Sequence, residues 1–324
     1  MSQNKELYPL LFTPIFKDRI WGGNKLKDFL NKNIPTNTTG ESWELADFIE
    51  DNSTVANGSL INTTLKQLIT TYGADLLGTK IIKEFGLNFP LLFKFLDAKE
   101  DLSIQLHPND ELALKRHNSF GKTEMWYVMQ ADPGAEIIVG FKQDCSAQEY
   151  LDHLNAKTLP SILQNIPVNA GDVFYLETGT VHAIGKGIVI AEIQQTSDIT
   201  YRVYDWDRVD ANGNQRELHV DLALDAINYN TVDAKRVYNK TVNQENSIVK
   251  TSYFTTNYIP LQGSLIITKD TNCFRVYIVI KGEVNITLGD TAYTFTLGDT
   301  VLIPACFTEI ELNGQAELLE IFID

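Results

Sequence analysis

Four side chains in this sequence have the types and the spacing that could hold a metal ion. Gln105 and His107 stand two residues apart in SIQLHPND, Glu124 follows in GKTEMWY, and His182 lies in GTVHA. Alternate residues of a strand point to one face, so Gln105 and His107 could reach a single ion. Two imidazoles, one carboxylate and one amide oxygen suit zinc or another divalent first-row metal better than calcium or magnesium. The spacing therefore predicts one metal site, to which later strands bring Glu124 and His182.

The histidines also have a purely structural interpretation. The chain contains five of them, and a histidine inside a β-barrel is often a core residue that is satisfied by hydrogen bonds. Two of the five occupy inward-facing motif positions, which together with Gln105 and Glu124 favours metal binding. His117 lies on a short predicted helix that Asn109 or Asp110 could cap. His153 and His219 fall in segments with helical spacing, and we assign none of the three histidines a role.

Short strands separated by turns must position these side chains. Strands are predicted over PLLFKFLDA, LSIQLH, EMWYVMQA, AEIIVGF, DVFYLE and GIVIAEIQQ, because apolar and β-branched residues dominate these runs. Asp132-Pro133-Gly134 supplies the turn between the third and the fourth of them. The elements that carry the four candidate ligands are therefore expected to be mostly strands.

Three segments have apolar residues at the three- and four-residue spacing that indicates amphipathic helices. They are Thr63–Phe85, Ser146–Leu163 and Glu217–Tyr229. A glycine, either Gly73 or Gly78, is expected to divide the first segment into two helices, and Pro160 should break the second. These helices would be insertions in an otherwise β-rich chain.

An internal repeat indicates the fold. GDVFYLETGTVH (171–182) and GDTVLIPACFTE (298–309) both begin with Gly-Asp, continue as an apolar strand, turn and enter another strand. The pattern resembles the second motif of the cupin superfamily, with His182 at the metal-binding position of the first copy. The second copy has Glu309 there, so its barrel is expected to have lost the metal. The resemblance implies a mainly β fold of two cupin-like jelly-roll barrels, with helical insertions in the N-terminal one.

The boundary between the two barrels is expected in a segment without periodicity. Residues 230–246 are rich in Asn, Thr and Lys, a composition typical of a linker. We therefore predict a catalytic metal-binding cupin domain over residues 1–240 and a degenerate cupin-like barrel over residues 241–324.

The motifs around the candidate ligands resemble those of type I mannose-6-phosphate isomerases, particularly the shorter bacterial form. The matching segments are IQLHP, KTE, GTVHA, WGG, GESWE and FPLLFKFLDA, and they span about residues 7–225. The resemblance implies reversible conversion of mannose 6-phosphate to fructose 6-phosphate with one zinc ion per chain. It makes Gln105, His107, Glu124 and His182 the metal ligands.

The same resemblance assigns further residues. Arg202 is expected to be the active-site arginine, Asp198 fits the family's D-x3-R spacing before it, and Lys122 matches the active-site lysine. Lys94 and Ser103 fall where the family places contacts to the substrate phosphate. These five residues complete the predicted site.

An aldose–ketose isomerase must move a proton between adjacent carbons and stabilise the oxyanion that forms. A zinc ion can stabilise the oxyanion as a Lewis acid, and Arg202 can add fixed positive charge suited to anionic oxygens. Lys94 or Lys122 can hold a phosphate as a compact charge. The sequence leaves the general base open between Asp198, a water on the metal and Lys122.

Two other functions remain as alternatives at this point. An iron-dependent cupin oxygenase would also use two histidines and a carboxylate, although Gln105 would fill a position that oxygen chemistry needs. A non-catalytic sugar-binding cupin is the second alternative, although every candidate ligand of the first barrel is retained. Oxygen consumption would indicate the first, and sugar binding without turnover would indicate the second.

Composition and charge limit the classes of partner that the protein is expected to bind. The formal net charge is −15 and no Lys/Arg cluster interrupts it, so no nucleic-acid partner is expected. The apolar runs are too short for a membrane span, and the N-terminus lacks the pattern of a signal peptide. The three cysteines form no CxxC pair, as is usual in a reducing compartment. We expect a cytoplasmic protein with a small sugar phosphate as its partner, and the sequence leaves the oligomeric state open.

Overall fold

The structure is a computed structural model that describes residues 6–209 and 213–324. Within these ranges the chain forms twenty strands, seven α-helices and one 3₁₀ turn, Leu159–Ile162. The helices are α1 (Lys25–Asp28), α2 (Leu65–Tyr72), α3 (Ala74–Leu77), α4 (Thr79–Phe85), α5 (Asp110–His117), α6 (Ala147–Asn155) and α7 (Val220–Leu224). The strands are β1 (Leu10–Thr13), β2 (Ile15–Gly23), β3 (Thr39–Leu45), β4 (Thr54–Val55), β5 (Leu91–Ala98), β6 (Ile104–Leu106), β7 (Glu124–Ala131), β8 (Glu136–Phe141), β9 (Leu163–Pro167), β10 (Val173–Leu176), β11 (His182–Ile184), β12 (Ile188–Gln195), β13 (Tyr201–Tyr204), β14 (Lys235–Arg236), β15 (Asn246–Lys250), β16 (Thr255–Thr268), β17 (Arg275–Leu288), β18 (Thr291–Thr296), β19 (Thr300–Ile303) and β20 (Glu309–Phe322).

These strands confirm the mainly β fold. A seven-stranded sheet in the order β14-β10-β7-β12-β5-β3-β2 packs against a five-stranded sheet in the order β13-β6-β11-β8-β9. A third sheet has the order β15-β16-β20-β17-β19-β1-β4, with β18 paired to β17. Nearly all of its strands come from the C-terminal part of the chain.

Strand β12 shows how the sheets share their cores. Its eight residues are all buried, which is usual for a strand covered on both faces. Ile188 and Ile190 point into the core between the seven- and five-stranded sheets. Val189 and Ala191 point to the opposite face, where helices α2–α4 and the C-terminal sheet pack. The seven-stranded sheet is therefore the central layer of the molecule.

The N-terminal strand belongs to the sheet of the C-terminal strands. Leu10 and Leu11 of β1 pair with Leu302 and Val301 of β19. The division at residue 240 stays a prediction, but this pairing shows that β1 packs with the strands that follow the division. The two parts of the chain are held together by backbone hydrogen bonds as well as by apolar packing.

The contact between Phe89 and Phe274 allows a test of this packing. Their ring centroids lie 4.8 Å apart and both side chains are buried. Because truncating a buried phenylalanine leaves a cavity, Phe274→Ala is expected to lower the free energy of unfolding by about 3–5 kcal/mol. Urea denaturation followed by circular dichroism measures this change. Phe120→Ala, at a side chain that is 47% exposed, is the control, and equal effects of the two variants would contradict the packing described here.

The helices differ in extent from the sequence-based predictions. The first segment forms three helices instead of two, because the chain turns at both Gly73 and Gly78, where φ is +49° and +101°. The second forms α6 and then the 3₁₀ turn that contains Pro160. The third is helical only over Val220–Leu224, because the preceding His219 exchanges hydrogen bonds with the backbone of Arg202.

The Gly-Asp repeat has the same local structure in both copies. Gly171 and Gly298 have φ of +90° and +91°, a conformation that glycine adopts without strain. Asp172 and Asp299 each accept a hydrogen bond from the backbone amide three residues earlier. The repeated sequence is therefore a repeated structure.

None of the described helices combines the length and the apolar composition that crossing a bilayer requires.

Candidate active site

Three of the four predicted metal ligands meet among the strands of the N-terminal part of the chain. His107, Glu124 and His182 each offer one ligand atom, and these atoms all lie within 4.8 Å of one another. The Nε2 atoms of His107 and His182 are each 3.4 Å from a Glu124 carboxylate oxygen. All three side chains are buried. The prediction that residues distant in sequence converge is thus confirmed for these three.

Adjacent strands bring the residues together. Glu124 begins β7 and His182 begins β11, while His107 directly follows β6. Gln105, on β6, pairs with His182 on one side and with Arg202 of β13 on the other. Gln105 therefore lies beside the cluster and lines the cavity in front of it, although its role as a fourth ligand stays a prediction.

Backbone carbonyls fix the orientation of both imidazoles. Nδ1 of His107 lies 2.8 Å from the Ile199 carbonyl oxygen, and Nδ1 of His182 lies 2.8 Å from that of Thr180. A carbonyl only accepts, so each Nδ1 carries the proton and each neutral Nε2 keeps its lone pair. Burial, reinforced by Lys122, lowers the pKa of His107 to about 4, and burial lowers the pKa of His182. Both rings are thus neutral at physiological pH, the form that binds metals.

The donor set fits a bound cation. Two imidazole lone pairs and a carboxylate converge, and all of them are acceptors. Within the described part of the chain, the buried His182 Nε2 and Glu124 Oε1 make no hydrogen bond, although buried polar atoms normally have a partner. The Lys122 ammonium lies 3.0 Å from Glu124 Oε2 and 3.1 Å from His107 Nε2. Positive charge is therefore what this cluster requires.

Opposite charges around the cluster shift the pKa values of Glu124 and Lys122. Burial raises the pKa of Glu124, but Lys122 and the two histidines outweigh it and hold the pKa well below its usual range. Burial lowers the pKa of Lys122, but Glu124 and Glu192 outweigh it and raise the pKa. The carboxylate and the ammonium are both charged.

A cavity of about 690 Å³ opens in front of the cluster. The structure places all five of the other predicted site residues in its lining: Lys94, Ser103, Lys122, Asp198 and Arg202. Ser103 connects two of the predicted residues, since its Oγ lies 3.2 Å from Arg202 Nε and 3.4 Å from Gln105 Oε1. The structure thus brings these five residues and Gln105 to one cavity, and their individual roles stay predictions.

A row of residues across the central sheet was missed in the sequence. Glu192 of β12 pairs in register with Lys94 of β5 and with Trp126 of β7. Its carboxylate lies 3.2 Å from Lys94 Nζ and accepts a hydrogen bond from Trp126 Nε1 at 3.1 Å. Trp126 in turn stands edge-on to His182. An acidic residue in the middle of the apolar run IVIAEIQQ was the signal that could have revealed Glu192.

A second group, to which the sequence alone assigned no role, lies at the cavity wall. Glu41 accepts hydrogen bonds from Arg19 Nε at 2.7 Å and from Trp43 Nε1 at 2.6 Å. Burial raises the pKa of Glu41, but Lys94 and Arg19 outweigh it and lower the pKa to about 2. Lys94 Nζ lies 4.9 Å from the centre of the Trp43 ring, a cation–π distance. Glu41 and Trp43 therefore hold two of the cations of the cavity in place.

The fold and the site together define a cupin-type protein with a buried His/Glu/His group among its N-terminal strands. Family models identify it further: "Phosphomannose isomerase type I, catalytic domain" matches residues 10–144, and "Mannose-6-phosphate isomerase, cupin domain" matches residues 244–323. The chain belongs to the type I mannose-6-phosphate isomerase family.

Full-length relatives agree with this membership. Mannose-6-phosphate isomerase ManA of Bacillus subtilis is 38% identical over 315 residues, which cover 96% of this chain and 98% of that protein. Mannose-6-phosphate isomerase of Streptococcus mutans is 36% identical over 312 residues, covering 96% and 97%. The crystal structure of mannose 6-phosphate isomerase from Bacillus subtilis superposes with a TM-score of 0.88 at 34% identity, covering 97% of this chain and 99% of that one. The expected family and the cupin fold are thereby confirmed.

Proposed function

We propose that this protein is a zinc-dependent aldose–ketose isomerase that interconverts mannose 6-phosphate and fructose 6-phosphate in the cytoplasm. The observation that carries the proposal is the buried His107/Glu124/His182 cluster, which Lys122 connects to a cavity lined by charged residues. Homologues named mannose-6-phosphate isomerase match nearly the whole chain, which supports the choice of reaction.

We assign the metal to His107, Glu124 and His182, with Gln105 as the fourth ligand. Nitrogen and oxygen donors of this kind suit zinc. When bound, the metal supplies Lewis-acid polarisation of the carbonyl and hydroxyl oxygens at the first two carbons of the sugar. The carbonyls of Ile199 and Thr180 hold the two imidazoles in the tautomer that ligation requires.

The other residues of the cavity have separate roles in binding and converting the sugar. Arg202 presents fixed positive charge to the enediolate oxygens, where charge develops during the reaction. Lys122 adds a second buried cation beside Glu124. Asp198 takes the proton from C2 of mannose 6-phosphate and returns it to C1, and the hydroxyl proton passes from O2 to O1, which together give the ketose. Lys94 and Ser103 contact the bound sugar and fix its orientation.

Metal removal tests the proposal. The wild-type protein is expected to convert mannose 6-phosphate to fructose 6-phosphate, as measured by an assay that consumes the product, without oxygen uptake. Because a Lewis acid contributes several kcal/mol, a chelator should reduce kcat/KM on the order of 10³-fold. Added zinc should restore activity in the wild type and not in His182→Ala. Activity in both proteins that is insensitive to chelator would refute the mechanism.

A further inference from the structure

Strand β13, which carries Arg202, lies at the edge of the five-stranded sheet. Its register pairs Arg202 with Gln105 of β6 on one side. On its other side, no strand among residues 6–209 and 213–324 pairs with it. The outward backbone N–H and C=O groups of an edge strand need other partners, because a buried polar group without one is costly. At Arg202 this partner is His219, a residue to which the sequence assigned no role.

His219 completes both of the outward backbone hydrogen bonds of Arg202. The Arg202 N–H donates to His219 Nδ1 at 3.1 Å, and the His219 N–H donates to the Arg202 carbonyl oxygen at 2.7 Å. One residue thus supplies the acceptor and the donor that a neighbouring antiparallel strand would supply. The backbone of β13 is therefore held at Arg202 from both of its edges.

The residues before His219 also contact the Arg202 side chain. Arg202 Nη1 donates to the Glu217 carbonyl oxygen at 2.9 Å, and its Nε lies 3.2 Å from Ser103 Oγ. Backbone and guanidinium of the same arginine are thus bound by two residues, Glu217 and His219, that stand two apart in sequence. His219 itself does not line the cavity, whereas Arg202 does.

Both ends of the segment that supports Arg202 are anchored. At its start, Arg216 lines the cavity and donates through Nε at 2.7 Å and through Nη2 at 2.5 Å to the two carboxylate oxygens of Asp205, which directly follows β13. At its end, His219 precedes helix α7, whose Ala223 packs in the same apolar cluster as Tyr201 of β13. Residues 216–219 are therefore a fixed support for Arg202.

The support requires that His219 is neutral at Nδ1. A nitrogen that accepts the Arg202 N–H cannot carry a proton of its own. Burial lowers the pKa of His219; Glu217 opposes this effect, while Arg202 and His117 add to it, so the pKa lies below its ordinary value. The Glu217 carboxylate lies 4.0 Å from His219 Nε2, and the Tyr201 ring lies 6.3 Å from the imidazole. These surroundings favour the form of His219 that accepts the hydrogen bond.

We propose that His219 is a positioning residue for the isomerisation, which holds Arg202 where its guanidinium meets the charge that develops on the sugar. This inference rests on the proposed function, because it takes Arg202 as the residue that stabilises the enediolate. A fixed charge lowers the barrier only while it stays in place, and a displacement of about 1 Å can slow a reaction greatly. Because that interaction forms in the transition state, its loss lowers kcat more than it raises KM.

His219→Ala and His219→Asn test the proposal. Alanine removes the acceptor, so kcat for mannose 6-phosphate should fall about tenfold, with KM and zinc content within about twofold of the wild type. The asparagine amide oxygen can take the place of Nδ1 and accept the same N–H, so His219→Asn should keep kcat within about threefold. An equal fall of kcat in both variants would overturn the inference, since the acceptor would then have no part in the effect.

A double-mutant cycle shows whether the effect passes through Arg202. Once Arg202→Gln has removed the guanidinium, adding His219→Ala should lower kcat by less than about twofold more. A further tenfold fall would show that His219 acts on another group or on the fold, and the inference would be wrong.

His153→Ala is the matched control. His153 is also a partly buried histidine that makes a hydrogen bond through Nδ1, at 2.8 Å from Thr158 Oγ1, and it does not line the cavity. The same chemical change at this residue should therefore leave kcat and KM unchanged. A tenfold fall of kcat in His153→Ala as well would mean that the loss in His219→Ala is not specific, which would contradict the proposal.

Hydrogen–deuterium exchange keeps the test independent of turnover. The Arg202 amide loses its acceptor in His219→Ala, so its exchange should be about tenfold faster or more, while His219→Asn should exchange like the wild type. If the wild type did not convert mannose 6-phosphate, the proposed function would fail, and the exchange rates would still decide whether His219 holds Arg202. Equal exchange of this amide in all three proteins would overturn the inference.

Discussion

Glu124→Gln is expected to remove both the bound metal and the isomerase activity. Glu124 lies 3.4 Å from the Nε2 atoms of both His107 and His182, so it joins the two histidines of the cluster. Glutamine has nearly the same shape but no negative charge, so the cluster would lose the one anionic ligand that we assign to it and would hold zinc more weakly. We expect less than one-tenth of an equivalent of zinc after dialysis (about 1.4 kcal/mol or more of lost binding), and a kcat/KM reduced on the order of 10³-fold or more.

A control must separate loss of metal from loss of the fold. Glu124→Gln also leaves the buried Lys122 ammonium without its nearest carboxylate, and breaking a buried ion pair typically destabilises by about 3–5 kcal/mol. Circular dichroism at the assay temperature should show that the variant remains folded. Glu177→Gln makes the same chemical change at an exposed residue close to His182 in sequence, and it should keep zinc and activity. A folded Glu124→Gln protein with one zinc per chain and wild-type turnover would contradict the metal assignment.

The residues of the metal cluster could be predicted because short segments of the sequence indicate where their side chains point. Strand alternation links Gln105 to His107, and the Gly-Asp turn leads directly to His182. Each of these short segments indicates by itself that a side chain points into the domain. The family resemblance then supplied the step that periodicity could not supply, namely that the segments surround a single ion. The structure brings His107, Glu124 and His182 together, and the ion between them stays a prediction.

The pairing of Lys94 with Glu192 in the cavity depends instead on strand register. Lys94 and Glu192 are far apart in sequence and meet only because β5 and β12 pair with these two residues opposite each other. A shift of one residue in that register would point Glu192 to the other face of the sheet. Nothing in either strand sequence specifies this register, so the sequence predicted a lysine in the site and missed the acid that neutralises it.

Arg216 and the pairing of β1 were missed for related reasons. Arg216 follows a polar segment, NGNQ, that has no periodicity, and only the folded chain shows that Asp205 directs it to the cavity. The pairing of Leu10 with Leu302 joins the two ends of the chain. Contacts of such long sequence separation arise from the packing of whole sheets, to which local propensity contributes little.

Asp198→Asn is expected to have the second large effect, on kcat rather than on metal binding. Asp198 lines the cavity in the segment between β12 and β13. The next residue, Ile199, provides the carbonyl that orients His107. Ser197, on its other side, is held by a 2.6 Å hydrogen bond from the buried Gln194 side chain to its carbonyl. The backbone on both sides of Asp198 is therefore held relative to the cluster, while its side chain is exposed at the cavity.

A positioned general base contributes about 10²–10⁴-fold to a rate, so kcat should fall by that factor while zinc content and KM change little. Uptake of deuterium from solvent at C2 of mannose 6-phosphate should slow in parallel, since the same carboxylate would exchange that proton. Asp207→Asn, at an exposed carboxylate paired with Lys157, controls for the loss of a charge nearby in sequence. If Asp198→Asn keeps its kcat within threefold, another group carries the proton, and Lys122 is then the residue of this chain to replace next. If both turnover and exchange fall while zinc remains bound, the base and the metal are separate parts of the site, joined through the short segment from Ser197 to Ile199.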